Sequence, residues 1–196
     1  YIGSSSWSTL VNIPIKERKH QMSTGKTVPQ ITFKYRVRDA SIGGDNPFRW
    51  QDVTSDEIFS NKKVVVFSLP GAFTPTCSTQ QVPGFEAAYE EFIKLGIDEV
   101  YVLSVNDTFV MRKWMLDQKI GNIKFIPDGN GEFTRQMGML VDKHNVGFGQ
   151  RSWRYAMVVN NGVIEHWLEE PGRKDNNGTD PFSISSAESV LSAIKG

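Results

Sequence analysis

The run "KKVVVFSL", residues 62–69, constrains the fold more than any other stretch of the chain. Its residues are apolar without alternation and rich in valine, the mark of a strand buried on both faces. "VYVLSV" at 100–105 is a second run of the same kind. Strands of this type need cover on both sides, so helices must pack above and below one sheet. "PQITFKYRV" alternates as a strand, "SIGGDNP" is a turn cluster, and "FRWQDV" can return as its partner. Thr54 and Glu57 form a capping-box pattern, and Asp107 can cap a helix through "TFVMRKWMLDQKI", in which Val110, Trp114 and the methionines supply an apolar side. A helical segment after Cys77 should close near Gly96 and be kinked or split by Pro83. "IKFIP" reads as a strand and "GEFTRQMGML" as a short helix. "RYAMVV" and "VIEHWLEE" form a hairpin turning at Asn161-Gly162. Ser185 and Glu188 offer a capping box to a last helix with Val190, Leu191 and Ile194 facing inward. The expected class is an α/β sandwich with a central mixed β-sheet flanked by helices.

At 196 residues the chain fits one domain with a substantial core. Lysine plus arginine and aspartate plus glutamate stand at 22 each, so the broad positive field of a nucleic-acid binder is missing. No apolar run approaches the roughly 18 residues of a membrane span, and no membrane partner is expected. One cysteine cannot form an internal disulfide, and His20, His144 and His166 lack metal-ligand spacing. The default setting is a reducing intracellular one, the cytoplasm or an organelle such as a mitochondrion or plastid. Residues 1–27 are hydroxyl-rich and basic, with Glu17 their only acid. They read as an N-terminal arm carrying a tag or as the remnant of an organelle presequence, and residues 28–196 as the folded domain.

Thr74-Pro75 is a natural helix entrance: the residue before proline is pushed out of the helical region, and proline suits the first helical position. Cys77 then lies in the first turn, where free N–H groups and the helix dipole favour a thiolate. A lone cysteine can equally be a small buried hydrophobe, and Thr74 only a cap.

"SLPGAFTPTCS", "LSVNDTFVM", "DGNGEFT" and "RYAMVVNNGV" together resemble the peroxiredoxins, in the peroxiredoxin-5 or type II branch, from about residue 28 to the end. The one-cysteine form resembles the peroxiredoxin part of peroxiredoxin–glutaredoxin hybrids. The resemblance implies a thioredoxin-like fold, no cofactor, and thiol-dependent reduction of hydrogen peroxide and alkyl hydroperoxides. By motif, Cys77 resembles the cysteine that attacks peroxide and becomes a sulfenic acid. Thr74 resembles the hydroxyl that bonds the thiolate and the peroxide, and Pro70 the residue shielding the pocket from water. Arg154, ahead of the aromatic Tyr155, resembles the family's arginine. Thr76 stands where many relatives have glycine and is expected at the pocket rim; nearby Arg151 reads as a solvated charge.

The arginine is needed on physical grounds. An ordinary thiol of pKa ~8.5 is about 3% ionised at neutrality, and lowering that value to ~5.5 raises the thiolate fraction roughly thirtyfold. With a Brønsted slope of ~0.45, intrinsic nucleophilicity falls roughly twentyfold over the same interval. The two nearly cancel. Catalysis must therefore come from donors placed on the developing charge of the leaving oxygen. An arginine can hold thiolate and peroxide together.

The tail "NNGTDPFSISSAES" carries no second cysteine, so an external thiol must complete the cycle. Glutathione with glutaredoxin is the first expectation and thioredoxin the alternative. A homodimer around the active-site loops is implied, with Phe73, Phe148 and Trp153 as interface anchors or core residues. Two other functions compete. A disulfide oxidoreductase would normally use a Cys-x-x-Cys pair, absent here, whereas a redox-signalling protein would pass oxidation from Cys77 to a partner. "DGNGEFTRQMGM" fails as a calcium loop because Phe133 and Met139 stand where glycine and glutamate are required.

Overall fold

Both valine-rich runs form strands at the centre of a five-stranded sheet. The computed structural model describes residues 22–196, so most of the N-terminal arm expected over 1–27 lies outside the described residues. The first strands are a hairpin, β1 (Thr32–Arg38) and β2 (Phe48–Thr54), paired antiparallel. Thr54 caps α1 (Ser55–Phe59) with the full capping box to Glu57. Strand β3 (Lys63–Ser68) follows, then a π-helical turn at Cys77–Gln81 leading into α2 (Val82–Ala87) and α3 (Tyr89–Lys94). Strand β4 (Glu99–Ser104) leads to α4 (Thr108–Asp117), capped by Asp107, whose carboxylate accepts from the Val110 N–H at 2.9 Å. Strand β5 (Lys124–Pro127), α5 (Glu132–Gln136) and two short strands, β6 (Leu140–Asp142) and β7 (Gln150–Ser152), come next. The hairpin β8 (Tyr155–Asn160) and β9 (Val163–Glu169) precedes α6 (Ala187–Lys195).

The main sheet runs β5-β4-β3-β8-β9, with β3, β4 and β5 parallel and β8 and β9 antiparallel. Alternation splits the core cleanly. Val64, Val66, Leu103, Tyr155 and Met157 face one apolar layer with the β1–β2 hairpin, α1 and α5. Val65, Phe67, Val102, Ala156 and Val158 face the other, which holds Cys77, Phe85, Trp114 and Val190. Because a strand's side chains alternate, Arg154 falls on the Cys77 side and Trp153 on the opposite side.

Residues just ahead of β1 are stitched to the hairpin edge: Val28 donates to the Gly162 carbonyl at 2.9 Å, and Ile164 to that of Lys26 at 2.9 Å. The Asn161-Gly162 turn forms with both residues at positive φ, as two-residue hairpins require. Among the described residues no helix is long and apolar enough to cross a membrane.

Two expectations are corrected. The cap of the last helix is Ser186, accepting from the Ser189 N–H at 3.2 Å, because the Ser185 N–H and hydroxyl are both given to Glu170. The helix after Cys77 is split as expected, but it opens as a wide π turn, with the Val82 N–H bonded to the Cys77 carbonyl.

Candidate active site

Cys77 sits where the chain leaves β3, crosses the "LPGAFTPT" loop and enters its helix. The sulfur has no exposed surface. The loop is held at three points. The Ala72 N–H donates to Asn106 Oδ1 at 3.0 Å, and Asn106 is itself fixed by the Ser104 hydroxyl at 2.6 Å. The Thr74 hydroxyl donates to the Gly71 carbonyl at 2.8 Å. Arg151 donates from Nη1 to the Pro70 carbonyl at 3.3 Å and from Nε to that of Phe148 at 3.1 Å. Arg151 is thus a clamp rather than a solvated charge, and burial pulls its pKa down. Gly71 is required by this approach, because a Cβ there would lie 2.5 Å from Arg151 Nη1. Phe73 is held at φ 64 with half its surface exposed. A bulky residue in the left-handed region stores strain, which persists where surrounding bonds over-determine the loop.

Arg154, only 1% exposed, extends from the residue just before β8 to the sulfur. Its Nη1 lies 3.4 Å from Cys77 Sγ and also donates to Gln81 Oε1. Its Nη2 donates to Asp180 at 2.7 Å, and the ring of Phe182 lies 5.6 Å from the guanidinium carbon. Burial alone pulls the arginine's pKa down; the charges of Cys77 and Asp180 push harder, and the net direction is up. The guanidinium is therefore a permanent cation beside a buried thiol, and its Nε–H is buried without a partner among the described residues.

The segment bearing Asp180 and Phe182 is anchored just beyond Phe182 on one buried carboxylate. Glu170 accepts from the N–H groups of Ser183, Ile184 and Ser185 and from the hydroxyls of Ser183 and Ser185, at 2.6–3.2 Å. Burial opposes its ionisation, but these donors win and hold its pKa below the usual carboxylate range.

The structure brings Cys77 and Arg154 into contact, while Pro70, Thr74 and Thr76 lie along the loop that leads from β3 to the cysteine. Pro70 is buried, Thr74 and Thr76 are half-buried, and the Thr74 hydroxyl is turned to Gly71. Trp153 belongs to the core, its indole N–H bonded to the Glu170 carbonyl at 2.7 Å, while Phe148 is half-buried. Sequence reasoning missed Gln81, Asn106, Glu170 and Asp180. Of these only Gln81 left a signal: it lies four residues after Cys77, the spacing that brings two side chains to one helical face.

A five-stranded mixed sheet between helices, with a buried thiol at a strand-to-helix turn beside a buried cation, defines a thioredoxin-like α/β protein. The comparisons agree. The Redoxin family matches residues 24–191. A protein named Peroxiredoxin from Rhizobium etli is 60% identical over 174 residues, covering 89% of this chain and 97% of that one. The hybrid peroxiredoxin hyPrx5 of Haemophilus influenzae is 53% identical over 167 residues, 85% of this chain and 64% of its own. The crystal structure of the Plasmodium falciparum antioxidant protein, a 1-Cys peroxiredoxin, superposes with a TM-score of 0.80 at 38% identity, covering 87% of this chain and 98% of that one. The chain belongs to the peroxiredoxin family of thiol-dependent peroxidases.

Proposed function

We propose that Cys77 is the peroxidatic residue of a one-cysteine cycle acting on hydrogen peroxide and alkyl hydroperoxides. The observation that carries this reading is the 3.4 Å contact between the buried Arg154 guanidinium and the Cys77 sulfur. The thiolate attacks one peroxide oxygen, the O–O bond breaks with its electron pair going to the other oxygen, and that oxygen takes a proton and leaves as water or alcohol. Arg154 stabilises the thiolate and the departing oxygen; its unpartnered Nε–H is a donor in reserve. The Thr74 hydroxyl turns from Gly71 to the peroxide, Pro70 keeps bulk water out, and Thr76 forms the rim.

The product on the enzyme is a sulfenic acid. An external thiol attacks its sulfur, expels water and leaves a mixed disulfide, which a second thiol resolves to regenerate Cys77 and release an external disulfide. This route is supported by the chain's having one cysteine. Glutathione with glutaredoxin is the proposed reductant, thioredoxin the competitor. Because the sulfur is fully buried, a protein thiol reaches it only after the helical turn at 77–81 opens. Peroxide consumption supported by glutathione plus glutaredoxin, at least several times faster than with thioredoxin at equal concentration, is the expected result. The reverse ranking would overturn the choice of reductant.

A homodimer across the Phe73 loop is also proposed, supported by the 50% exposure of that ring beside the site. Sedimentation of the reduced protein at micromolar concentration should give a dimer; a fully active monomer would contradict it.

A further inference from the structure

We propose that Asp180 is a positioning residue for the reactive pair, a counter-charge on Arg154 that limits how strongly the guanidinium acidifies the Cys77 thiol. The inference rests on the reading of Cys77 and Arg154 given above. Arg154 stands between two acidic groups, the Cys77 sulfur on Nη1 at 3.4 Å and the Asp180 carboxylate on Nη2 at 2.7 Å. Ion pairs on a protein surface usually contribute little. This one differs because the arginine side chain is 1% exposed and the aspartate 40%, so among the described residues a cation sealed against the sulfur is reached from outside by one carboxylate.

The placement is built by the fold. The six bonds to Glu170 fix residues 183–185, and Gln81, which also holds Arg154, donates from Nε2 to the Ser185 carbonyl at 3.4 Å. The loop, the cysteine's own helical turn and the guanidinium therefore form one connected unit. Each element packed against it contributes its charges. Strand β8 and its entrance supply Arg154, and the loop supplies Asp180 and Glu170. The oxygens of Glu170 are taken up by serine and backbone donors. Gln81 on the helical turn is neutral, and Arg151 is committed to Pro70 and Phe148.

The sign follows from Coulomb's law. Two anions sharing one cation disfavour each other, so neutralising Asp180 gives the thiolate an undivided guanidinium and makes it form at lower pH. A thiolate less basic by one unit is also a weaker nucleophile by about threefold.

The test is the thiolate absorbance near 240 nm against pH. Its change below pH 9 has one thiol source, because the chain has one cysteine. In Asp180→Asn the midpoint should move down by about one pH unit, and Asp180→Glu should return it toward wild type. Peroxide consumption by Asp180→Asn, measured above both midpoints, should be about threefold slower. A midpoint in Asp180→Asn that stays put or rises overturns the proposal. Circular dichroism checks the fold, and Asp180→Ser, read the same way, replaces the asparagine variant if that one misfolds. A wild type without peroxidase activity at Cys77 would defeat the underlying reading instead. An active wild type with an unmoved Asp180→Asn midpoint defeats only the role of Asp180.

Discussion

Two loops flank Cys77, and they are held in opposite ways. The loop before it, residues 69–76, is pinned at several separate points, by Asn106, by Arg151 and by its own Thr74. The loop at 171–186 reaches Arg154 through Asp180; bonds to Gly138, Asp142 and Asn145 hold its first half, and Glu170 holds its last residues. An arginine reaches out to secure the first loop; the second loop reaches in to hold an arginine. Redundant pinning lets Asn106 and Arg151 keep the loop's geometry, including a phenylalanine at positive φ, while the Thr74 hydroxyl turns to peroxide. A single buried carboxylate holds residues 183–185 of the second loop, so one change releases that end of it. The two sides of the site should therefore respond differently to substitution.

The largest effect belongs to the residue both loops serve. Arg154→Lys retains charge but loses the fork that reaches sulfur, Gln81 and Asp180 together. The second-order rate with hydrogen peroxide should fall by roughly 10- to 1,000-fold, the range for loss of one placed donor. A loss no greater than that in Arg151→Lys would show that the buried arginine is not the working one.

Next is the anchor of the second loop. Glu170→Gln replaces a carboxylate by an amide that cannot accept all of these bonds, at a cost of about 3 kcal/mol in denaturant unfolding. Acid should act in the same direction. The folded-state pKa of Glu170 is depressed, so its stabilisation is present above the unfolded value of ~4.3 and is lost as pH falls from there through the folded value. Glu170→Gln should flatten that part of the stability–pH curve; a variant as acid-sensitive as wild type would assign the loss to other carboxylates.

Substitutions in the first loop should do least, because its supports are separate. Gly71→Ala pushes Arg151 Nη1 off the Pro70 carbonyl, and Arg151→Lys removes the same bond by another route. Each should slow peroxide reduction by only about 2- to 10-fold, and the double variant should be scarcely slower than either, since both delete one contact. Additive losses would show that Arg151 does more than clamp Pro70.

Much of this was legible in the chain itself, where local chemistry decides. "KKVVVFSL" could only be a covered strand, Thr54 and Glu57 cap as their spacing says, and Asn161-Gly162 turns the hairpin. Arg154 was found through the family motif, and strand alternation explains why it meets Cys77. What was not legible depends on competition between distant groups. Ser185 has the right spacing for a cap, but a buried carboxylate fifteen residues earlier takes its donors, and Ser186 caps instead. Arg151 looks solvated until β7 brings it against Pro70. Trp153 looks like a loop aromatic until alternation turns it into the core. Asp180 lies in a polar stretch with no local pattern, and bonds to distant residues on both sides of it bring it to Arg154.

The central claim is that Cys77 itself takes oxygen from peroxide. Reduced protein should be mixed with one equivalent of hydrogen peroxide, without any thiol, and the peroxide remaining and the intact mass followed together. Wild type should consume the peroxide and trap with dimedone at Cys77 as a sulfenic acid. Cys77→Ser, with its fold unchanged by circular dichroism, should leave the peroxide unconsumed and carry no adduct. If the serine variant consumed peroxide at even a tenth of the wild-type rate, the account of this site would be wrong.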